Sequence, residues 1–265
     1  MNAYVTLLAG ADYLPGVVAL SRSLKRVGSI YPLIVMYRDE HIGMELLKQE
    51  ELILKKVEPL PFSAEFINNH TREAQHTKNP FTKGTKPTFH NPIDNFYKLS
   101  LWKLNEFKKV VFLDADVIVI RNIDRLFDYP EGCAAPNLYE SLDDFNRMNS
   151  GVFVAQPSDI TFTKMFHALD YPEAYWPRTD QTFLQFYWKN WHGLPYIYNA
   201  LQYLYFNIPS LWRWDSIRVI HYQYEKPWDQ NHPKKDQLLE LILLWQCMYH
   251  NESLPKSIIE KMGDI

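Results

Sequence analysis

Two aspartates one residue apart, Asp114 and Asp116, close an apolar run that begins at Val110. On a tight turn both carboxylates can reach a single hard cation, whereas on an extended strand they would project together without room for a ligand. An imidazole is available as a third ligand at His221, which ends the run Arg218-Val-Ile-His and precedes Tyr-Gln-Tyr-Glu-Lys226-Pro-Trp228. On residue types alone the pair also fits a solvated acidic turn, or the nucleophile of a phosphatase-type metal hydrolase. The hydrolase expects its Asp-x-Asp on the first strand of the chain, and here three candidate strands come before it. A strand-end histidine can equally be a satisfied core or surface residue.

The elements that must position these groups follow from periodicity. Tyr4 to Ala9 reads as a buried strand, and Pro15 to Val27 as a helix with Val17, Leu20 and Leu24 on one face and Gly28 at its C-terminal cap. Pro32 to Tyr37 and Ile53 to Val57 repeat the strand pattern around a helical Ile42 to Glu51. Strand and helix in alternation predict an α/β fold with a mixed, mostly parallel sheet. Residues 61–93 lose all periodicity and predict a mobile loop or lid. A helix is expected from Asp94 to Phe107, then a strand from Val110 to Leu113 buried on both faces. Asp114 therefore falls at the C-terminal end of a strand, the edge where open α/β sheets bind ligands. Further strands are expected at Val117 to Ile120, Cys133 to Ala135, Gly151 to Ala155 and Ile217 to His221, with a helical turn at Ile123 to Phe127. Helices follow near Ile160 to Leu169, Thr179 to Trp188 and Lys235 to His250, the last with an apolar stripe suited to core packing.

Composition narrows the classes. A length of 265 residues suits one large α/β domain, and a formal charge of -3 offers no footprint for a nucleic-acid backbone, so no nucleic-acid partner is expected. Cys133 and Cys247 lack metal-ligand spacing and suit a reducing cytoplasm. The first apolar run has no basic residues ahead of it and is cut by Asp12, so neither a signal peptide nor an integral membrane segment is expected. Eight tryptophans and seventeen tyrosines leave room for aromatic faces that stack on sugars, although core packing accounts for most of them. A non-catalytic sugar-binding module is therefore a third possibility beside transferase and hydrolase.

Taken in order, Asp114-Ala-Asp116, Asn149-Ser-Gly-Val-Phe-Val154, Thr179-Asp-Gln181, Leu194-Pro-Tyr-Ile-Tyr-Asn199 and His221 to Trp228 resemble glycosyltransferase family 8, most closely its glycogenin and galactinol synthase branches. Leu7-Leu-Ala-Gly-Ala-Asp-Tyr13, Tyr31-Pro-Leu-Ile-Val35, Lys98-Leu-Ser-Leu-Trp102 and Asn122-Ile-Asp-Arg-Leu-Phe127 are similar as well, so the resemblance runs from Ala3 to about Trp228. It implies a Rossmann-like nucleotide-diphospho-sugar transferase fold. One domain would span 1–265: a nucleotide-sugar part at 1–60 and 94–155, a loop or lid at 61–93, and an acceptor side with the C-terminal helix at 156–250.

The resemblance also implies roles. A divalent cation, usually Mn2+, would be held by Asp114, Asp116 and His221 against the diphosphate of a UDP-hexose, with Ala115 between the two aspartates. Lys226 would place a positive charge on the leaving diphosphate, and Lys98 would lie near the donor sugar and phosphates; Lys226 also reads as an ordinary surface lysine. Asn149 and Ser150 would touch the sugar, though Asn-Ser-Gly also suits a plain turn. Asp180 and Gln181 would flank the anomeric carbon, and Asp180 could in addition cap the helix after it. Leu7, Leu8 and Tyr13 would seat the uracil, the first two through backbone groups and Tyr13 by stacking. The implied reaction moves glucose or galactose with retention to a carbohydrate or polyol acceptor, and a homodimer is compatible with it. Retention could proceed by attack on the face that the leaving group vacates or by a double displacement through Asp180. Glycogenin-like glycosylation of Tyr205 is the alternative use of the same architecture. The sequence departs from the family at Tyr224, where the family has glycine, and near Pro177 and Arg178, where glycogenins carry an acidic residue.

Overall fold

A computed structural model describes residues 1–39, 43–76, 86–171 and 179–263. The chain opens with β1 (Asn2–Leu8), α1 (Leu14–Arg26), β2 (Leu33–Tyr37), α2 (Met44–Gln49) and β3 (Ile53–Lys56). Two short helices, α3 (Ala64–Asn69) and α4 (Arg72–His76), precede β4 (Lys109–Leu113) and β5 (Val117–Val119). After β6 (Cys133–Pro136) and β7 (Met148–Ala155) come α5 (Asp159–Ala168), α6 (Asp180–Tyr187), β8 (His192–Gly193) and β9 (Ala200–Leu201). The chain continues through α7 (Leu204–Asn207), β10 (Val219–His221), α8 (Lys235–His250) and α9 (Lys256–Met262).

Seven strands form one sheet in the order β3-β2-β1-β4-β7-β6-β8. The pairs β1/β2, β2/β3, β1/β4 and β6/β8 are parallel, while β7 runs antiparallel to both β4 and β6. The sheet is thus mixed and mostly parallel, as the strand and helix alternation predicts. Helix α1 covers one face with Val17, Leu20 and Leu24, and Phe96, Trp102 and Phe183 belong to the core on the other. Gly28, at φ +67°, ends α1: the Ser29 amide donates to the Leu24 carbonyl and the Gly28 amide to that of Lys25, a Schellman closure that suits glycine. No described helix is long and apolar enough to cross a membrane. The apolar stripe of α8 packs in a third core cluster with Ile118, Ile220 and Tyr222.

Three expectations need correction. Asp94 to Phe107 is not an α-helix: a 3-10 helix spans Pro92–Lys103 and ends short of Phe107. Its residues from Phe96 to Trp102 are all buried, so no polar face exists to distinguish a period of 3.6 from one of 3. Long 3-10 runs are uncommon, and this one carries Lys98 to the sheet edge. The strand after the aspartates leaves the main sheet: β5 joins β10 and β9 in a separate three-stranded sheet. The stretch 61–93 holds α3 and α4, and α3 begins at Ser63, whose side chain accepts from the Phe66 amide. Residues 77–85 of that stretch lie outside the described residues, as do Pro177 and Arg178.

Candidate active site at the Asp114 edge

Three strand registers bring the site together. β4 ends at Leu113, opposite Val152 of β7, and the next rung is the Asp114 amide donating to the Gly151 carbonyl at 2.8 Å. This sets Asn149 and Ser150 beside Asp114. β10 runs antiparallel to β5 with His221 opposite Val117, and the Tyr222 amide donates to the Asp116 carbonyl at 2.9 Å. A residue distant in sequence is therefore held next to the aspartates by backbone pairing. Helix α1 backs the turn closely, since any Cβ on Gly16 would strike the Ala115 carbonyl.

One ligand atom each from Asp114, Asp116 and His221 lie within 4.8 Å of one another. His221 Nε2 is 3.2 Å from Asp116 Oδ1 and 3.9 Å from Asp114 Oδ2. The proton on this ring can be assigned from a chain of amides. The Gly151 N–H meets Asn149 Oδ1 at 2.8 Å, which fixes that atom as oxygen. Asn149 Oδ1 also accepts from Asn199 Nδ2 at 2.7 Å, so Asn199 presents its oxygen to His221 Nδ1 at 3.0 Å. Nδ1 must then donate, which leaves Nε2 as the ring atom facing the two carboxylates. One imidazole nitrogen with two carboxylates is a donor set that suits Mn2+ or a similar divalent ion. Asn149 Nδ2 continues the chain to Asn137 Oδ1 at 2.7 Å. Gly151 is required here too, because a Cβ would run into the His221 ring.

Two lysines neutralise the acidic cluster from opposite sides. Lys98 Nζ lies 3.0 Å from Asp114 Oδ1 and 2.7 Å from Asp180 Oδ2, and Ser150 Oγ donates to the same Asp180 oxygen at 2.7 Å. Lys226 pairs with Asp116 Oδ2 and donates to the Tyr222 carbonyl at 3.0 Å. Burial by itself would weaken the Lys98 ammonium, but Asp114 and Asp180 outweigh it and hold its pKa above the ordinary lysine value. Burial likewise pushes Asp180 and Asp116 up, and the neighbouring groups, Lys98 for the first and Lys226 with His221 for the second, bring both below the usual carboxylate range. Asp114 differs: burial, with Asp116 adding to it, raises its carboxyl despite Lys98. A carboxylate held under such repulsion gains most from an added cation.

These groups line one open cleft. Leu7, Tyr13, Lys98, Ala115, Asn149, Ser150, Asp180, Gln181, His221 and Lys226 all face it, together with Asp114 and Asp116. Leu8 does not; strand alternation turns its side chain into the core on the opposite face of β1. Thr179 rather than Asp180 caps α6, accepting from the Thr182 amide, which leaves Asp180 to the cleft. Tyr13 stands edge-on to Phe89 and Trp228, at 5.2 and 6.4 Å between centroids. Tyr205 lies elsewhere: its hydroxyl donates to Glu240 Oε2 at 2.6 Å, outside the cleft.

Sequence reasoning missed Lys86, His90, Asn95 and Gln223, which also line the cleft, and it gave Asn137 and Asn199 no role. Asn199 and Gln223 fall within motifs of the resemblance without an assigned role, while Lys86, His90, Asn95 and Asn137 carry no spacing signal and come to the site only through the fold. Tyr224 does leave a trace. It holds φ at +67°, the left-handed region in which a side chain costs about 1–2 kcal/mol, and it occupies the position matched to a family glycine.

The profile of the family described as Glycosyl transferase family 8 matches residues 4–232. Galactinol synthase 1 of Ajuga reptans is 28% identical over an alignment covering 96% of this chain and 82% of the relative. Galactinol synthase 7 of Arabidopsis thaliana is also 28% identical, with 97% and 85% covered. Among solved structures, galactosyltransferase LgtC in complex with donor and acceptor sugar analogues aligns at a TM-score of 0.61 and 14% identity, covering 97% of this chain and 98% of that one. Glycosyltransferase GlyE of Streptococcus pneumoniae TIGR4 aligns at 0.61 and 16% identity, covering 95% of this chain, which spans 63% of the GlyE chain. These likenesses establish the nucleotide-diphospho-sugar transferase fold.

Proposed function

Starting from a chain that belongs to glycosyl transferase family 8 and is a glycosyltransferase, we propose that it moves a hexose from UDP-glucose or UDP-galactose, with retention and with Mn2+ or a similar cation, to an external polyol or carbohydrate acceptor. The observation that carries this reading is the convergence of His221 Nε2 with the carboxylates of Asp114 and Asp116, in the same cleft as Lys98, Lys226 and Asp180. Bound there, the divalent ion would supply charge neutralisation for a leaving diphosphate.

The residues of the chain do the rest. Tyr13 and Leu7 seat the base, while Asn149, Ser150, Asp180 and Gln181 surround the sugar. In the transfer, the bond from the anomeric carbon to the diphosphate oxygen breaks with its electron pair going to that oxygen, and Lys226 stabilises the charge that appears. The acceptor hydroxyl forms the new bond on the vacated face, and its proton passes to a donor phosphate oxygen. Asp180, kept ionised by Lys98 and Ser150, steadies the positive charge developing on the sugar. Residues 156–250 would form the acceptor side within one domain, and the galactinol synthase relatives favour a small polyol there. The reading extends to a cytoplasmic location, which two buried, unbridged cysteines support. Tyr205 is not favoured as an internal acceptor, because Glu240 holds its hydroxyl outside the cleft.

The test is Mn2+-dependent release of UDP from a panel of UDP-hexoses with myo-inositol and other polyols as acceptors, followed by intact-protein mass spectrometry. Turnover of at least one donor by the wild type and none by Asp116→Asn is expected. No turnover of any donor with any metal, or donor binding by the mutant equal to wild type, sinks the reading; a hexose adduct on the protein would revive self-glycosylation.

A further inference from the structure

Lys86 is the cation in the cleft that the reaction outlined above does not use. It lies just before the 3-10 helix, and its backbone is anchored: the Arg72 guanidinium donates to the carbonyls of Pro87 and His90 at 2.8 and 2.7 Å, and to that of Lys86 at 3.3 Å. Its half-buried side chain enters the cleft with Nζ 5.5 Å from the centre of the Tyr224 ring. Among the described residues no carboxylate lies within ion-pair distance of it, whereas Lys98 and Lys226 are each paired directly. Burial, with repulsion from Lys226 adding to it and Asp180 opposing, pulls the Lys86 ammonium down to about 8. Its charge is therefore held at a cost that an arriving anion would relieve.

Charge balance indicates which anion. Asp114, Asp116 and Asp180 against Lys98 and Lys226 leave a single negative charge in excess. A divalent ion turns that into a single positive charge, and the doubly negative diphosphate of a nucleotide sugar turns it negative again. One further cation restores neutrality, and bond cleavage, which adds charge to the diphosphate, increases the demand for it.

We propose that Lys86 binds the donor diphosphate as a third cation, beside Lys98 and Lys226, from the Arg72-anchored segment. The inference rests on the UDP-sugar reading. It commits to the donor rather than to an anionic group on the acceptor, because the imbalance arises from the donor's own charge.

Calorimetric titration of UDP, in Mn2+, into wild-type, Lys86→Met and Lys86→Arg protein tests it, with uridine as a ligand that lacks phosphates. Lys86→Met should weaken UDP by roughly tenfold to a hundredfold, the range for losing one charge-assisted contact. Uridine affinity should be unchanged, and Lys86→Arg should restore UDP binding to within about threefold. UDP affinity of Lys86→Met equal to wild type overturns the inference, as does an equal loss for uridine and UDP, which would mark a structural role. An unchanged UDP affinity with a raised acceptor KM would reassign Lys86 to the acceptor. Wild-type protein that fails to bind UDP would remove the donor reading itself, a result distinct from each of these.

Discussion

The cleft at the Asp114 edge and the aromatic corner around Tyr205 use similar residue types, tyrosine, carboxylate and lysine among tryptophan rings, but settle their charges differently. In the corner, Tyr205 donates to Glu240, Glu240 is paired with Lys261, and Trp212 and Trp214 stand edge-on to the tyrosine at 5.1 and 6.2 Å. Burial together with Glu240 pushes the Tyr205 hydroxyl up to about 12, which makes it a poor nucleophile. In the cleft, three aspartates share one space, Asp114 is raised by burial and by Asp116, and Nε2 of His221 faces two carboxylates. A region whose ionisable groups pair with one another is packing. A region that is balanced only when something else arrives is a site.

Four substitutions would break or sharpen this contrast. The largest effect is expected from Asp116→Asn, which removes a ligand and the partner of Lys226: UDP release should fall at least about a hundredfold while circular dichroism stays native. Next comes Gly151→Ala, whose methyl must displace the His221 ring; Mn2+ affinity measured by calorimetry should weaken by roughly tenfold to a hundredfold. Asn199→Ala removes the acceptor that fixes the ring tautomer and should cost about tenfold in Mn2+ affinity. Its effect on UDP binding without metal should be negligible. The smallest effect belongs to the corner: Tyr205→Phe should leave turnover within about twofold and lower unfolding stability by about 1 kcal/mol in urea titration. A hundredfold loss of turnover in Tyr205→Phe would erase the distinction between the two regions.

Much of the cleft's make-up was legible in the sequence because it hangs on strand ends. Val110 to Leu113 is apolar enough to declare a doubly buried strand, and that alone puts Asp114 at the ligand edge. Legibility ended where tertiary pairing took over. Strand parity sends the Leu8 side chain to the core, which leaves only its backbone to meet a ligand. The 3-10 geometry around Lys98 is hidden by burial on every side. The amide chain from Asn137 through Asn149 to Asn199 has no sequence spacing, since it joins strands and loops that meet only in the folded sheet. Lys86 lies among residues without periodicity, and only the anchoring by Arg72 marks it.

Electron paramagnetic resonance of Mn2+ tests most directly whether Asp114, Asp116 and His221 hold a divalent ion for a nucleotide diphosphate. Free Mn2+ gives a sharp six-line signal that collapses on binding. Wild-type protein with UDP should quench it at stoichiometric Mn2+, and Asp116→Asn and His221→Ala should leave it largely free under the same conditions. Equal quenching by all three proteins would contradict the assignment.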